Sequence, residues 1–408
     1  MRVPSFHAFR SGRASVAASL ARLWSWGANN AGQLGLGNTT NRSSPVQVGA
    51  LTDWAEVFGG TNCSFATKTD GTLWAWGSNS HGKLGLGNTT SRSSPVQVGA
   101  LTDWSGAKIS SRYQSTLAVK SNGTLWAWGI NNYFQLGLGN TTSRSSPVQV
   151  GALTNWADVS VSQQSTLAVK TDGTLWSWGL STYGALGLGD NNHRSSPVQV
   201  GALTGWSKVV ITNSNSALAL KTNGTLWSWG GNESGQLGLG DSYINRSSPV
   251  QVGALTNWSK IAGAGSRYSY YGDPLTSGFF SAIKTDGTLW SWGDNTYGKL
   301  GLGNTTSRSS PVQVGALTDW SSLSINQAVR YKSTLNTAVI KTDGTLWAWG
   351  SNVTGSLATG GTTPVRRSSP VQVLSGTSGW TSVSVICGDA PSYYSNLSRS
   401  SMLAIRTS

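Results

Sequence analysis

Tyrosine and arginine are the residues in this chain whose type and grouping could do chemistry at a surface. They gather as Arg112-Tyr113, as Arg267-Tyr268 with Tyr270, Tyr271, Phe279 and Phe280, as Arg330-Tyr331-Lys332, and as Tyr393-Tyr394 with Arg399. Both types offer a large contact area with adaptable polar ends and are enriched at recognition hot spots. The chemistry they suggest is binding. Groups suited to covalent or metal chemistry are sparse: His7, His81 and His193 stand alone, and no Gly-x-Ser-x-Gly elbow occurs. Pairs such as Gly35/Gly37 lack the third glycine and the following helix of a dinucleotide fingerprint, and read as turn glycines. The expectation is a protein with no catalytic residue, no metal and no cofactor, hence not an enzyme.

The elements that must position these residues come from a repeat. Leu-Trp-(Ser/Ala)-Trp-Gly recurs seven times, at Leu23, Leu73, Leu125, Leu175, Leu226, Leu289 and Leu346, and a third Trp follows each block, which accounts for all 21 Trp. Arg-Ser-Ser-Pro-Val-Gln-Val also recurs seven times, from Arg42 to Arg367. A fixed period of this size decides architecture before any local reading. Within a unit the pattern alternates, so the two Trp of Leu-Trp-Ser-Trp share one face of a strand. Asp-Gly between apolar runs, as in Val169-Lys170-Thr171-Asp172-Gly173-Thr174-Leu175, predicts a tight hairpin, read as a type I′ turn. Pro-Val-Gln-Val predicts a strand with Pro at its start, and Trp206 to Ile211 predicts another.

About four short strands per unit, seven times over, predict an all-β protein: a seven-bladed β-propeller of four-stranded blades. The first unit lacks the strand that precedes each Asp-Gly turn, and Met402-Leu403-Ala404-Ile405-Arg406 supplies it. The ring is therefore expected to close by pairing of the N- and C-terminal strands, with residues 400–408 beside 22–27. Residues 22–408 form the propeller, and residues 1–21 are a basic tail expected to be disordered. With 11% charged residues and two Cys among 408, a solvated long helix and a disulfide-dense scaffold are both excluded. Cys63 and Cys387 lie in units that closure makes neighbours, but their offsets from Trp54 and Trp380 differ, so a disulfide is not expected. No apolar run is long enough to span a bilayer as a helix.

Length variation points to one place. The first and third Trp of a unit are 30 apart in five units, as from Trp24 to Trp54. From the third Trp to the Lys or Arg before the turn the count is 14 at Trp54–Lys68 but 26 at Trp258–Lys284, 21 at Trp320–Lys341 and 26 at Trp380–Arg406. Seven of the 11 Tyr fall in this one loop class, which in a propeller opens on one face. Either the loops form a binding face built from the last three blades plus Tyr113, or they pack over the channel mouth with Tyr as filler. Loops held by a rigid scaffold commonly carry function, which favours binding.

The unit Leu-Ala-x-Lys-Thr-Asp-Gly-Thr-Leu-Trp-x-Trp-Gly-x-Asn-x-x-Gly-Gln-Leu-Gly-x-Gly closely resembles the regulator of chromosome condensation repeat, with clear matches at Leu226 to Gly240 and Leu23 to Gly37. The resemblance covers residues 22–408 and implies a seven-bladed propeller. The near-identity of the units resembles bacterial or phage members. By analogy with the family's founding member the resemblance also admits a guanine-nucleotide exchange factor or regulator of a small GTPase, although no wedge segment or exchange-factor residue matches.

The formal charge of +14 invites a polyanion or nucleic-acid reading, through the basic tail and surface. Fourteen of the 29 basic residues recur once per blade, though, and so form rings rather than one stripe. The Arg of Arg-Ser-Ser-Pro are expected to bond loop carbonyls between blades. Nucleic acid is possible but not favoured; the preferred partner of a monomeric propeller is a protein or a surface glycan. Asn-x-Thr sites such as Asn38, Asn88 and Asn140 repeat with the unit and read as turn chemistry.

Overall fold

The computed structural model describes residues 20–266, 277–325, 335–359, 362, 366–388 and 400–407. Among the described residues twenty-eight strands form seven four-stranded antiparallel sheets. In each unit the strand that opens on or just after the third Trp is innermost: Trp54–Gly59, Lys108–Arg112, Trp156–Val161, Trp206–Ile211, Trp258–Ser266, Trp320–Ile325 and Trp380–Cys387. These seven contact their counterparts in adjacent sheets around a common axis. The Arg-Ser-Ser-Pro strand is outermost. It begins at the Arg, three residues before the expected Pro start, and its register slips across the Pro, as between Arg42 and Val46. An outer edge strand tolerates the missing amide there.

The ring closes through the chain ends. Ala21–Gly27 pairs with Ser400–Thr407 in seven successive rungs, from Ala21↔Thr407 to Gly27↔Ser401. Ser400–Thr407 pairs on its other side with Trp380–Cys387, so one sheet draws strands from both ends of the chain.

One hydrogen bond repeats at every blade interface. The second Trp of each block donates its indole N–H to a carbonyl of the preceding blade: Trp76 to Gln33, Trp128 to Lys83, Trp178 to Gln135, Trp229 to Ala185, Trp292 to Gln236 and Trp349 to Lys299, at 2.7–3.0 Å. Trp26 donates to Ser356 O at 2.9 Å, which carries the same bond across the seam. These indoles are buried, and a buried donor needs its acceptor. Nearer the axis, Ser110, Ser160, Ser324 and Ser384 accept an amide of the next innermost strand through Oγ, at Val161, Ile211, Val385 and Gly59 respectively.

The hairpin turn differs from the expected type I′. Only the glycine takes positive φ (Gly71, +81°), and Gly71 N–H bonds Lys68 O while Lys68 N–H bonds Thr72 O. This is a three-residue loop with a left-handed glycine. The preceding Asp caps it instead: Asp70 Oδ1 accepts Thr72 N and Thr72 Oγ1, and Thr72 Oγ1 accepts Trp74 Nε1 at 2.9 Å. The Thr72 bonds hold the Asp70 carboxyl below its usual range. Asn122 and Asn223 perform the same capping in two other units.

Two glycines at positive φ separate backbone strain from crowding. A Cβ at Gly123 (φ +76°) would lie 2.0 Å from Thr154 O, whereas one at Gly151 (φ +64°) meets nothing within 4 Å. Gly151→Ala should therefore cost only the left-handed penalty, about 1–2 kcal/mol. Gly123→Ala should cost at least twice that, because a backbone carbonyl must move. Urea midpoints of the two variants check this, and equal values would refute the crowding argument.

Candidate binding face

The variable connection joins the innermost strand to the second strand of each sheet. It is a tight turn in four units and a long one after Ser266, Ile325 and Cys387. All seven leave the same end of the innermost strands, the Asp-Gly turns lie at the opposite end, and the three long connections arise from consecutive sheets.

Of the residues singled out by sequence, Arg267, Tyr268, Tyr270, Tyr271, Arg330, Tyr331, Lys332, Tyr393, Tyr394 and Arg399 lie outside the described residues. Phe279 and Phe280 are not part of a surface. Both are fully buried in Ser277–Lys284, paired with Ala264 and Gly263. Part of the inserted length prolongs the hairpin rather than the loop, giving strands of nine and eight residues. Gly263 leaves room for the Phe280 ring, whose Cδ1 a Cβ at 263 would approach to 2.2 Å.

Arg112 and Tyr113 do sit on this face. Arg112 ends its innermost strand, and its Nη1 donates to Gly59 O at 3.0 Å and Ser111 O at 2.8 Å. Tyr113 N–H donates to Thr61 Oγ1 at 2.9 Å, and the buried Lys83 reaches Thr61 O and Tyr113 O through Nζ. Cys63 and Cys387 are both buried in the same region and are not joined by a disulfide, and Thr61 forms an isolated backbone bridge with Cys387.

The recurring cations do not form outward rings. Lys68, Lys120, Lys170, Lys284 and Lys341 are buried, and each Nζ lies over two Trp rings of its own sheet, the third Trp of one repeat unit and the first of the next, at 3.6–5.4 Å from the centroids. Lys221 and Arg406 make the same approach. A cation over indole is held by the ring quadrupole, and burial removes these charges from the electrostatic footprint that a polyanion would read. Four Arg of Arg-Ser-Ser-Pro bond their own loop rather than the next blade: Arg42 to Asn41 O, Arg194 to His193 O and Asp190, Arg246 to Ile244 O and Asp241, and Arg308 to Ser307 O. Asn38 does act as a turn residue, with Oδ1 accepting Thr40 N.

Sequence reasoning missed a charged level in the channel. Glu56, Lys108, Asp158, Lys208 and Lys260 occupy one register position of five consecutive innermost strands, toward the Asp-Gly end. Asp158 Oδ2 accepts Val209 N at 3.0 Å and Oδ1 lies 3.7 Å from Lys208 Nζ; burial raises the Asp158 carboxyl above its usual range against the pull of Lys208. The signal was present, since in four of the five the charge falls two residues after the third Trp. On the rim of that same end Leu51, Leu101, Leu153, Leu203, Leu255 and Leu317 are exposed, one per unit. Among the described residues no group of three or more His, Cys, Asp or Glu is placed to hold a metal ion, and no helix is long and apolar enough to cross a membrane.

Seven closed blades, with indole bonds at every seam and loops varying on one face, define a β-propeller built from tryptophan repeats. The regulator of chromosome condensation (RCC1) repeat matches at residues 21–67, 70–119, 122–169, 172–217, 223–270, 286–325 and 343–392, and the chain belongs to that family. Among solved structures it is similar to Prp20p of Saccharomyces cerevisiae, with a TM-score of 0.75 at 17% identity over 96% of this chain and 93% of that one. The structure of Prp20p was described with its binding to Gsp1p and histones. Human WBSCR16 is comparable, with a TM-score of 0.73 at 20% identity over 95% and 99% of the two chains. At such identities the likeness is one of fold. The human E3 ubiquitin-protein ligase HERC2 is 30% identical over 151 residues, 35% of this chain but 3% of HERC2. The probable E3 ubiquitin-protein ligase HERC6 is 32% identical over 148 residues, 35% of this chain and 13% of HERC6. The chain thus spans a small part of these relatives. They are human and yeast proteins, and give the bacterial or phage leaning no support.

Proposed function

We propose that this chain is a non-enzymatic binding scaffold, which recognises a protein through the Tyr- and Arg-bearing connections on one face of its propeller. The observation that carries this reading is the confinement of length variation to one connection, at one end of three consecutive sheets whose other parts barely vary. A closed ring fixes the bases of these loops, and rigid placement is what lets loop residues discriminate partners. The protein-binding relative Prp20p is compatible with a protein partner; a surface glycan is the other partner such a tyrosine-rich face would suit. Nucleic acid is disfavoured because so many of the recurring cations are turned onto indole rings.

The test is capture from an extract of the source organism, by intact protein and by a variant with residues 267–276 replaced by an Asn-Gly turn. At least one protein should be retained about tenfold less by the shortened variant, a loss of about 1.4 kcal/mol in affinity. Identical capture profiles would defeat the reading, and loss of glycan-array signal without loss of any protein would move the assignment to a glycan. Neither form should accelerate nucleotide release from a small GTPase; acceleration would favour the exchange-factor alternative.

A further inference from the structure

The outer wall of the ring carries a cleft that recurs from blade to blade. Between the seam sheet and the sheet of Trp54–Gly59, the residues Leu36, Leu51, Trp54, Trp74 and Pro95 floor an open groove of about 510 Å³, within the size range of small-ligand clefts. Asn38, Arg42, Gln47 and Ser94 stand at its lips. One interface further on, Leu86, Leu101, Trp104, Trp126, Ser146 and Pro147 line the equivalent groove. The half-buried Leu and Trp at its base recur at four further interfaces, as Leu138 with Trp176 and Leu302 with Trp347.

Burial does not demand that this wall be so uniform. Arg-Ser-Ser-Pro-Val-Gln is identical in all seven units, although none of its residues is buried in any of the seven outermost strands. Exposed positions ordinarily accept substitution at little cost. The innermost strands, which do bury side chains, have diverged: Ala-Glu-Val-Phe follows Trp54, Ala-Asp-Val-Ser follows Trp156 and Ser-Lys-Ile-Ala follows Trp258. Recent duplication would have left both walls alike. Uniformity on the exposed wall alone is what a ligand met by every blade would impose.

The polar lips are held ready. Gln47 Nε2 donates to Gly49 O at 2.8 Å, Arg42 Nη1 to Asn41 O at 3.2 Å and Asn38 Nδ2 to Leu36 O at 3.1 Å. Little side-chain freedom is therefore lost when a ligand arrives. Lys68 lies over one side of the half-buried Trp74 ring, and the indole N–H is spent on Thr72 Oγ1 at 2.9 Å, so what Trp74 turns to the groove is ring carbon. Arg42, partly exposed, is the one charged residue among the described residues that line this groove.

We infer that these grooves are repeated subsites for an acidic polysaccharide. A sugar ring has a face of C–H groups that packs on aromatic carbon, and a rim of hydroxyls that can donate to and accept from Gln, Asn and Ser. The carboxylate of a uronate complements the guanidinium, and the net charge of +14 attracts a polyanion from a distance. Like grooves around a disc serve a ligand made of like units, because weak sites then reinforce one another through avidity; a peptide partner shows its motif once. A nucleic-acid strand fits less well, since it needs cations in succession and free aromatic faces. In two units the arginine is already matched, Arg194 by Asp190 at 2.8 Å and Arg246 by Asp241 at 2.6 Å, so those grooves hold a carboxylate least. The site is on the lateral wall, and the inference does not rest on the long connections.

The test measures fluorescence anisotropy of labelled polygalacturonate, alginate and hyaluronate with the full chain at 0.15 M salt, with polyglutamate, neutral dextran and a 12-nucleotide oligo-dT as comparison probes. At least one polyuronate should bind, about tenfold or more tighter than every comparison probe. The fourfold variant Arg42→Gln, Arg92→Gln, Arg144→Gln, Arg308→Gln should weaken it about a hundredfold, because losses multiply across subsites. Arg194→Gln with Arg246→Gln should weaken it less than about threefold, since those side chains are already engaged. Near-ultraviolet circular dichroism of the 21 Trp verifies folding. If the fourfold variant does not fold, calorimetric titration of the intact chain with the trimer of the bound uronate decides, since repeated subsites take up more than one equivalent. The inference is overturned if no polyuronate binds, if the fourfold variant binds as the intact chain does, if one equivalent of trimer saturates, or if polyglutamate or oligo-dT binds as tightly with the same dependence on these arginines. The variant shortened at residues 267–276 should bind polyuronate unchanged, so failure of loop-dependent protein capture and failure of this inference are separate results.

Discussion

A chain ending at Arg399 loses its cooperative unfolding transition and aggregates. Ser400–Thr407 is the second strand of the seam sheet and pairs on both sides, with Ala21–Gly27 and with Trp380–Cys387. Its Met402, Leu403, Ala404 and Ile405 are buried. Burying a large aliphatic side chain is worth about 1.5–3 kcal/mol, so three of them lost together approach the whole margin of a domain, about 5–15 kcal/mol. The loss is worse than that sum, because two strand edges in mid-sheet are opened and exposed edges recruit other chains. Size-exclusion chromatography and thermal denaturation of the truncated chain make the measurement. A soluble monomer with an unchanged midpoint would show that the ring does not depend on this strand. A synthetic peptide of residues 400–408 supplied during refolding should restore the transition, since the strand is held by pairing and packing.

The same strand shows what was legible beforehand. Met402-Leu403-Ala404-Ile405-Arg406 matches the run before each Asp-Gly turn, so a period in the residues was enough to anticipate closure. Pattern failed where a side chain chose between local geometries. Asp-Gly fits type I′ as well as a three-residue loop, and what decides is the bond from Thr72 Oγ1 to Asp70 Oδ1, which spacing does not display. Pattern failed again at Phe279 and Phe280, where an insertion can lengthen a hairpin or a loop; the glycine opposite Phe280 was the available cue. The recurring lysines were read as rings, one charge per blade, and the spacing did not display that each lies over two indoles of its own sheet. Arg112 was picked out for its type and its loop. What its type and spacing do not display is that its Nη1 is turned back onto the carbonyls of Gly59 and Ser111.

Trp26→Ala should destabilise the protein by roughly 3–5 kcal/mol, the usual toll of truncating a fully enclosed aromatic residue. Trp26 is buried, sits 6.0 Å from Trp380 and donates to Ser356 O across the seam. Removing it leaves a cavity where the two ends of the chain meet, and leaves a buried carbonyl without its donor. Trp26→Phe separates the two effects. It keeps much of the apolar volume and removes the N–H, so its cost should approach that of one unsatisfied buried group, about 1–3 kcal/mol, together with some loss of packing. Trp178 is the control, since it makes the same bond to Gln135 O at 3.0 Å between blades that are covalently consecutive. If the seam is built like the other interfaces, Trp26→Phe and Trp178→Phe should shift the urea midpoint equally, within about 0.5 kcal/mol, as expected of independent sites in like surroundings. A Trp26 variant markedly milder than its Trp178 counterpart would mean that the ring is already open at the seam for part of the time. In that case closure would be a weak clasp, and the loops that rise from Cys387 and from Gly59 beside it would lose the fixed spacing on which a binding face depends. Equal costs instead make the ring continuous, and the discontinuity of the chain at this sheet has no energetic counterpart.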